Sequence, residues 1–428
     1  MDAPKTLDKA VGALIGLALG DAIGIYTEFM TAPQAQEAYG SGSPIFSLVP
    51  PETKLHHDTH RCVPFRNCKL TLCWSFSCLY HSIQRAWTDD TDHTILMVLS
   101  YLRLRELSPD DFAIRLHSWC QQGLRVLDRL PMGLGKTVGS VVFSPEYKKD
   151  PTGTALRYWE KNRREIAPNG SLMRTTPVGV ICISKTEEET FEAAIRMGAV
   201  THADPRCAVS VAIVSALVRA MCRGEVQEAE QLHPVLDRAW AYVVRTQPDC
   251  SLDLAEFERH AYAETLDELV LCDRTMGYVY KCLGSALWCL RQVLTRQETF
   301  RSAMTALVMQ GGDADTNGAV AGALMGALYG YTLLPKEWRD GMRHEEWYHA
   351  KIVALCSVAG LRDTFYDSEN DSDTKMDGGK GFLSEDEMKK REMQIMEKML
   401  LSEKERREAA VVKVKNAQAK TSWRSWLT

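Results

Sequence analysis

Alternation of apolar and polar residues, the pattern of a strand with one buried face, is scarce in this sequence of 428 residues. A β-sandwich or β-barrel is therefore not predicted. Charge of one sign is not in excess either, because the formal net charge is only -5. This balance carries no signal for nucleic-acid binding and no polyanionic tail.

Cysteine is present but lacks the spacing of a disulfide framework. The 13 cysteines are scattered, and their number is odd. This pattern favours reduced thiols in a cytoplasmic or nuclear protein over a secreted scaffold. The start of the chain has a glycine-rich apolar stretch, but Asp21 interrupts it. We therefore expect neither a signal peptide nor a membrane span.

Helical periodicity is what the sequence has in abundance. Apolar residues recur at helical spacing through most of the chain, for example at Ile95, Leu99 and Leu102. Pro and Gly mark the loops between these segments. We predict an all-α domain, a compact bundle of many helices, over residues 1–366.

Two segments differ in composition from this domain. Residues 62–84 contain four cysteines, with aromatic residues and almost no acids. Their spacing is too wide and too even for a zinc knuckle, so we interpret the segment as an inserted loop. Residues 367–428 are acidic and then highly charged. They are predicted to form a linker and a solvated helical or disordered tail, with a capping box at Ser384 and Glu387.

Two short acidic clusters, each leading into an apolar run, are the most informative feature of the chain. They consist of Thr88, Asp89 and Asp90, and of Asp313, Asp315 and Thr316. Ionised carboxylates gathered this densely repel one another unless a cation lies between them. Four carboxylates and two hydroxyls suit a pair of hard divalent cations, which makes a hydrolase a reasonable hypothesis.

Each cluster alone has a simpler interpretation as a helix N-cap, since Asp and Thr are good capping residues. One cap needs one oxygen, however, and each segment supplies three side chains. A calcium loop beginning at Asp313 is excluded because its twelfth position, where a bidentate Glu is required, is Leu324. The residues that follow are predicted to be helical.

A glycine-rich segment near Lys136 resembles the end of a phosphate-binding loop. The glycine required five positions before Gly135 is Leu130, and no buried strand precedes the segment. A nucleoside triphosphatase is therefore not expected. Lys136 is predicted to be a solvated residue near a helix start.

Two predicted helices carry glycine at every fourth position. These glycines are Gly12, Gly16, Gly20 and Gly24, and Gly318, Gly322, Gly326 and Gly330. Each costs roughly 1 kcal/mol relative to alanine inside a helix, so eight of them need a compensating contact. Residues four apart share a helix face. We infer that the two helices are central, pack closely and carry the acidic site at their ends.

With these features in place, the sequence resembles the ADP-ribosylglycohydrolase family. That family includes dinitrogenase-reductase-activating glycohydrolases and ADP-ribosylarginine and ADP-ribosylserine hydrolases. The resemblance rests on five segments in family order: GALIGLALGDAIGIYTEF, WTDDTDHTI, PNGSLMRTTPVGV, THADPR and GGDADTNGAVAGAL. It implies an all-helical orthogonal fold with two Mg²⁺ or Mn²⁺ ions. The ligands it implies are Thr88, Asp89, Asp90, Asp313, Asp315 and Thr316.

The resemblance also assigns catalytic and substrate-binding residues. Glu28 lies at the substrate-side edge of the implied metal centre, where a carboxylate can take a proton from water. Asp315 lies between the other ligands of its cluster and is the best candidate to bridge two ions. The predicted catalytic residues are Glu28, Asp89, Asp90 and Asp315.

A turn beginning at Pro168 is implied to meet the diphosphate and the adjoining ribose of the substrate. Its predicted binding residues are Asn169, Gly170, Ser171 and Met173. His202 also matches a substrate-site position of the family. The alternative for His202 is a helix-start histidine bonded to Asp204.

The implied function is hydrolysis of the glycosidic bond between ADP-ribose and an acceptor, by a monomer. The acceptor stays open between a protein side chain and a small ADP-ribose conjugate. A catalytically silent, crystallin-like member of the same fold is the alternative, but the implied ligand set is complete. An unrelated dinuclear phosphatase is not favoured, because this sequence lacks the histidine-rich ligand set expected of one. Asp92 and His93 make a more polar helix start than many family members show.

Overall fold

The computed structural model describes residues 3–56, 85–247 and 251–391, together with residues 393, 394, 397 and 401. The insert predicted at 62–84 lies outside the described residues, as does most of the predicted tail. Within the described ranges the chain is helical, and extended pairing is limited to isolated bridges such as Thr31 with Gly311. The all-α prediction is confirmed.

The α-helices between residues 3 and 358, numbered in chain order, fall into an N-terminal and a C-terminal half. The first half contains α1 Ala3–Gly24, α2 Ala32–Tyr39, α3 Asp89–Leu104, α4 Pro109–Gln122, α5 Lys136–Val142, α6 Pro151–Lys161, α7 Thr176–Ile181 and α8 Glu187–Gly198. The second half contains α9 Pro205–Arg223, α10 Leu232–Thr246, α11 Leu254–Ala261, α12 Val279–Leu294, α13 Phe300–Val308, α14 Ala314–Tyr329, α15 Lys336–Gly341 and α16 Glu345–Val358. A 3₁₀ helix, Asn169–Arg174, precedes α7.

Several helices begin where a capping side chain predicts a start. The side chain of Ser108 accepts from the Asp111 N–H at the start of α4, and that of Asp150 accepts from the Gly153 N–H at the start of α6. Ser384 and Glu387 exchange hydrogen bonds as the predicted capping box requires. These ends depend on local sequence, which is why their motifs were readable.

Helices α1 and α14 form the centre of the fold through their glycine stripes. Every residue of α1 from Ala10 to Gly24 is buried. A β-carbon added at Gly20 would lie 1.9 Å from the Gly318 carbonyl oxygen, and one added at Gly16 would lie 2.3 Å from that of Gly322. The backbones of the two helices are therefore in contact, as the stripes predicted, and the helices run antiparallel. The C-terminal end of α1 consequently meets the N-terminal end of α14.

Helix α9 is the one α-helix of the described residues with the length and apolar composition to cross a membrane. In its most apolar stretch, 89% of the residues are buried inside the protein. Its neighbours include α8, α7 and α10, which cover it on several sides. Its apolar character is accounted for by this packing.

The main compact unit comprises Met1–Arg61 and Arg85–Gly381 and extends beyond the boundary predicted at residue 366. The buried guanidinium of Arg115 donates to the Thr374 carbonyl oxygen at 2.9 Å, and Lys351 pairs with Asp371 at 2.6 Å. Asp371 and Asp373 therefore pair with Lys351 of the body, and the first part of the predicted linker packs with the domain. The second unit, Cys62–Gln84 and Phe382–Thr428, lies largely outside the described residues.

We expect Gly20→Ala to lower the free energy of unfolding by more than about 3 kcal/mol, because the added methyl group overlaps a backbone oxygen that cannot rotate away. Urea denaturation followed by circular dichroism measures the change. Gly198→Ala is the matched control, since its β-carbon would meet side-chain carbons at ordinary distances of 3.5 Å and above. Equal stability of the two variants would show that the close helix contact is not a constraint.

Candidate metal centre and substrate site

Three helix ends bring the acidic residues together. Asp21 lies in the last turn of α1, Asp90 in the first turn of α3 and Asp315 in the first turn of α14. One carboxylate oxygen from each lies within 4.8 Å of the others, and all three side chains are buried. The antiparallel contact of α1 with α14 and the attachment of α3 to α1 therefore build one shared acidic cluster.

Neither cluster is used for capping its own helix. Thr88 and Asp313 occupy the N-cap positions of α3 and α14, but neither side chain makes a capping hydrogen bond. Asp21, from α1, caps α3 instead. Its carboxylate accepts from the backbone N–H groups of Thr88 at 2.9 Å and of Thr91 at 3.1 Å. The simple capping interpretation of the two acidic motifs therefore does not describe them.

The Thr88 hydroxyl is surrounded by acceptors. It lies 3.0 Å from carboxylate oxygens of both Asp21 and Asp90, and 3.4 Å from one of Asp315. A hydroxyl has one proton, so only one of these three oxygens can accept a hydrogen bond from it. The other carboxylate oxygens are left beside one another and beside the hydroxyl oxygen without a shared proton. Such a group of negatively charged oxygens suits a cation.

Two more carboxylate atoms lack hydrogen-bond partners among the described residues. Asp90 Oδ1 and Glu28 Oε2 are buried and unpartnered. An unpaired buried carboxylate oxygen is costly, and such atoms in a native fold call for an ion or water. The donors at this site are all oxygens, the ligands that Mg²⁺ and Mn²⁺ prefer. The residues therefore fit a hard divalent cation.

Burial raises the pKa of every carboxyl group that the sequence placed at the site. For Glu28 the effect is large, and the charges of Asp315, Asp313, Asp89 and Asp90 add to it. These charges affect the pKa of Glu28 because the four aspartates lie near it. Glu28 is held there by the backbone that follows it, since the Phe29 N–H donates to the Gly312 carbonyl at 2.7 Å.

Asp313 and Thr316 complete the cluster on the α14 side. The Asn169 side-chain N–H donates to Asp313 at 2.8 Å. The backbone N–H of Asn169 donates to the Gly277 carbonyl at 3.0 Å. Thr316 is buried, and its backbone N–H donates to the Asp315 carboxylate at 2.9 Å. The predicted binding turn is thereby attached to the acidic cluster through Asn169.

The other residues of the predicted binding turn lie in the 3₁₀ helix Asn169–Arg174. A β-carbon added at Gly170 would lie 3.2 Å from His202 Nε2, so this glycine faces the histidine ring. For Ser171 and Met173 the structure shows burial within the same 3₁₀ helix. The structure thus links Asn169 to the carboxylates and Gly170 to His202.

His202 does not bond to Asp204, which was the structural alternative. Its Nδ1 lies 2.7 Å from the Thr201 hydroxyl, and its Nε2 is buried without a partner among the described residues. Asp204 accepts instead from the Trp159 indole at 2.8 Å and from the Arg206 backbone and guanidinium groups. That alternative is wrong because Asp204 is occupied in capping α9 and anchoring α6.

The family to which the sequence is matched agrees with this geometry. The ADP-ribosylglycohydrolase family model matches residues 2–369. The chain belongs to the ADP-ribosylglycohydrolase family. That span covers the acidic cluster and the binding turn.

Two relatives of known name share about a quarter of their aligned residues with this chain. An ADP-ribosylarginine hydrolase, Tri1, of Serratia proteamaculans (strain 568) is 26% identical over 344 residues, covering 80% of this chain and 77% of the relative. An ADP-ribosyl-(dinitrogen reductase) glycohydrolase of Rhodospirillum rubrum is 25% identical over 383 residues, covering 84% and 100%. A solved structure titled as an ADP-ribosylglycohydrolase-related protein complex shares the fold, with a TM-score of 0.51 and 21% identity over 83% of this chain and 99% of that one.

Asp21 is the residue of this ADP-ribosylglycohydrolase site that the sequence prediction missed. It is the one ionisable side chain in the apolar second half of α1, which is a signal for a buried polar role. Sequence analysis took it only as an interruption of a hydrophobic run. Its partners come from α3, far away in the chain, so the pattern around Asp21 could not name them.

Gly133 is a second residue without a role in the sequence prediction. Its φ is +77°, and a β-carbon there would lie 2.2 Å from Asp89 Oδ1. The glycine-rich segment rejected as a phosphate loop therefore packs on the acidic cluster of this family member. Lys136, at the start of α5, is exposed as predicted.

The polar start of α3 is a structural feature. Asp92 is fully buried and accepts from the indole N–H groups of Trp87 at 2.8 Å and Trp119 at 2.9 Å. Arg129 lies 3.4 Å from the same carboxylate, and the His93 ring packs edge-on against Trp119. Asp92 thus anchors α3 through indole and guanidinium donors, without joining the ligand cluster.

We expect Asp90→Asn to stabilise the metal-free protein relative to the parent, increasingly as pH rises from about 4 to 7. Burial raises the pKa of Asp90 well above its usual value, and that of Asp21 to about 6. In this interval the folded parent binds more protons than the unfolded chain, so its stability is lost as pH rises. The substituted amide carries no charge and removes part of that loss. Urea denaturation in a chelating buffer measures it.

Asp340→Asn serves as the control, because Asp340 is a surface carboxylate paired with Lys336. Its stability relative to the parent should be constant over the same pH interval. Added Mg²⁺ or Mn²⁺ should reverse the ranking of the parent and Asp90→Asn. A parent that gains stability over Asp90→Asn as pH rises without metal contradicts the cluster described here.

Proposed function

We propose that this chain is a metal-dependent hydrolase that cleaves the glycosidic bond between ADP-ribose and an acceptor. The observation that carries the proposal is the meeting of buried carboxylates from three helix ends, with one oxygen each of Asp21, Asp90 and Asp315 within 4.8 Å of the others. Glu28, Asp89 and Asp313 are acidic groups of the same site, and the charges of Asp89, Asp90, Asp313 and Asp315 raise the pKa of Glu28. Folding such a set without function would be a pure cost. Family membership supplies the substrate class.

The side chains that would hold two Mg²⁺ or Mn²⁺ ions are Thr88, Asp89, Asp90, Asp313, Asp315 and Thr316. Asp315 is the proposed bridging ligand, since it adjoins both the Thr88 hydroxyl and Asp313. When bound, such a pair neutralises the cluster, orients ribose hydroxyls and lowers the pKa of water. Asp21 lies 3.0 Å from the Thr88 hydroxyl and, as the acceptor of its proton, would direct the lone pairs of that hydroxyl toward an ion.

Glu28 is the proposed general base. Its Oε2 is buried and without a partner among the described residues, so it is available to take a proton from the attacking water. Burial and four neighbouring carboxylates raise its pKa, which makes it a stronger base than a surface glutamate. The backbone bond from Phe29 to Gly312 keeps its position relative to Asp313.

The substrate side is proposed to hold the ADP-ribose moiety. Asn169 bonds to Asp313 of the acidic cluster and Gly170 faces His202, so the glycosidic bond is proposed to lie at the cluster and the diphosphate toward His202. Ser171 and Met173 shape the turn from within. Small residues in this turn let backbone N–H groups approach an anionic ligand.

The acceptor is proposed to be a modified protein side chain or a small ADP-ribose conjugate. The Serratia relative is named for ADP-ribosylarginine and the Rhodospirillum relative for ADP-ribosyl-dinitrogen reductase, and both names fit a protein-linked substrate. We propose that the chain acts as a monomer in the cytoplasm or nucleus. A catalytically silent, crystallin-like role is disfavoured because every proposed ligand is present.

We expect Asp315→Ala to abolish release of ADP-ribose and to weaken Mn²⁺ binding more than Thr316→Ala does, because a bridging carboxylate contacts two ions and a hydroxyl one. Calorimetry with Mn²⁺ should give two ions per parent chain. Turnover is measured on arginine-linked, serine-linked and small-molecule ADP-ribosyl conjugates. Full activity of Asp315→Ala on the best of these substrates would contradict the mechanism, and turnover of none by the metal-loaded parent would support the silent alternative.

Glu28→Gln should lower the turnover rate by a factor of about 100 or more while Mn²⁺ affinity changes little, since a lost general base costs roughly 10²–10⁴ in rate. Calorimetry and single-turnover kinetics separate the two effects. Glu37→Gln, at an exposed position of α2, is the matched control. A Glu28→Gln protein that loses its metal instead assigns Glu28 to coordination.

A further inference from the structure

Three buried polar side chains form a hydrogen-bonded chain behind the substrate side. Arg174 Nη2 donates to the Thr201 hydroxyl at 2.6 Å, and that hydroxyl lies 2.7 Å from His202 Nδ1. Arg174 is fully buried, Thr201 is 1% exposed and His202 is 6% exposed. Solvent therefore does not compete for these bonds, and their direction is set by the protein.

The direction follows from which atoms carry hydrogen. A guanidinium group can only donate, so the Thr201 oxygen accepts from Arg174. The hydroxyl still has one proton, and His202 Nδ1 is its one hydrogen-bonding partner among the described residues beside Arg174. If Nδ1 carried a proton, the Thr201 oxygen would accept twice and its own buried proton would have no acceptor. With Nδ1 as an acceptor, the hydroxyl is fully satisfied.

We propose that Arg174 and Thr201 are positioning residues that fix His202 as the neutral Nε2–H tautomer, so that this N–H is a hydrogen-bond donor reserved for an oxygen of the substrate. The charge state agrees with the geometry. Burial lowers the pKa of His202 well below its usual value, and the positive charge of Arg174 lowers it further. Two protons on the ring beside a buried guanidinium are therefore disfavoured.

The position of Nε2 indicates what it binds. It is buried and has no partner among the described residues, and it faces Gly170, where an added β-carbon would lie 3.2 Å away. Asn169, the next residue, bonds to Asp313 of the acidic cluster. The donor thus faces the turn that is attached to the acidic cluster, where the proposed function places a phosphate or ribose oxygen. The identity of this ligand rests on the proposed function, whereas the tautomer does not.

Arg174 is built to keep this arrangement constant. Its guanidinium stacks over the Phe112 ring with 5.0 Å between the guanidinium carbon and the ring centroid. Burial lowers the pKa of Arg174 to about 10, which still leaves it cationic at neutral pH. It therefore cannot become an acceptor and reverse the chain.

The test uses the full-length protein labelled with ¹⁵N at histidine. Two-bond ¹H–¹⁵N spectra distinguish a protonated from an unprotonated ring nitrogen, and His202→Gln assigns the signals of His202. In the parent we expect protonated Nε2 and unprotonated Nδ1. Thr201→Val should lose this single tautomer, and Thr201→Ser should restore it because serine keeps the hydroxyl. A parent with protonated Nδ1, or a Thr201→Val protein with the parent tautomer, overturns the proposal.

Affinity for ADP-ribose provides the second readout. Thr201→Val should weaken binding roughly five- to tenfold, the loss expected for one misdirected hydrogen bond, and Thr201→Ser should recover most of it. Mn²⁺ affinity should be equal in all three proteins, because Thr201 makes no contact with the acidic cluster among the described residues. Loss of both affinities marks a folding defect, in which case the parent spectrum alone decides. If the parent protein binds no ADP-ribose, the proposed function is wrong. The tautomer prediction is then tested by the ¹⁵N spectrum of the parent alone.

Discussion

The backbone contact between α1 and α14 is the constraint on which the rest of the structure depends. Glycine at every fourth position removes the side chains that would hold the two helices apart, and carbonyl oxygens fill the space where β-carbons would be. The close contact determines where the acidic side chains lie. The end of α1, which carries Asp21 and leads to Glu28, meets the start of α14, which carries Asp313 and Asp315. A looser contact, of the roughly 8–10 Å kind usual between helices, would separate these carboxylates.

Two kinds of buried carboxylate surround this contact, and their partners distinguish them. Asp92 and Asp204 are satisfied by indole, guanidinium and backbone donors and hold helices in place. Asp90 and Glu28 keep oxygens that lack partners among the described residues and lie beside other negative groups. The local sequence pattern, taken without the family resemblance, would treat these four acids alike, since each stands near an apolar segment. The hydrogen-bond partners of a buried carboxylate therefore distinguish a structural anchor from a candidate ligand or base more clearly than its burial does.

The sequence was sufficient for features that depend on neighbours in the chain. Helical period, the glycine stripes and the capping box at Ser384 were all readable, and the family resemblance is confirmed. Features that depend on distant partners were not readable. Asp21 could not be matched with Thr91, and Asp204 could not be seen to have Trp159 as its partner in place of His202. The continuation of the compact unit past residue 366 was hidden for the same reason, because residue 374 shows its role only beside its partner on α4.

The wide separation of α1 and α14 in the chain governs when the acidic cluster comes into existence. Asp21 and Glu28 are synthesised well before Asp313 and Asp315, so the proposed ligand set is incomplete until residues beyond 316 have emerged. A divalent cation therefore has little to bind on a nascent chain. In the proposed function, metal binding therefore follows the late, long-range docking of α14 onto α1, and the cation that is abundant where the chain folds would be the first to occupy the site.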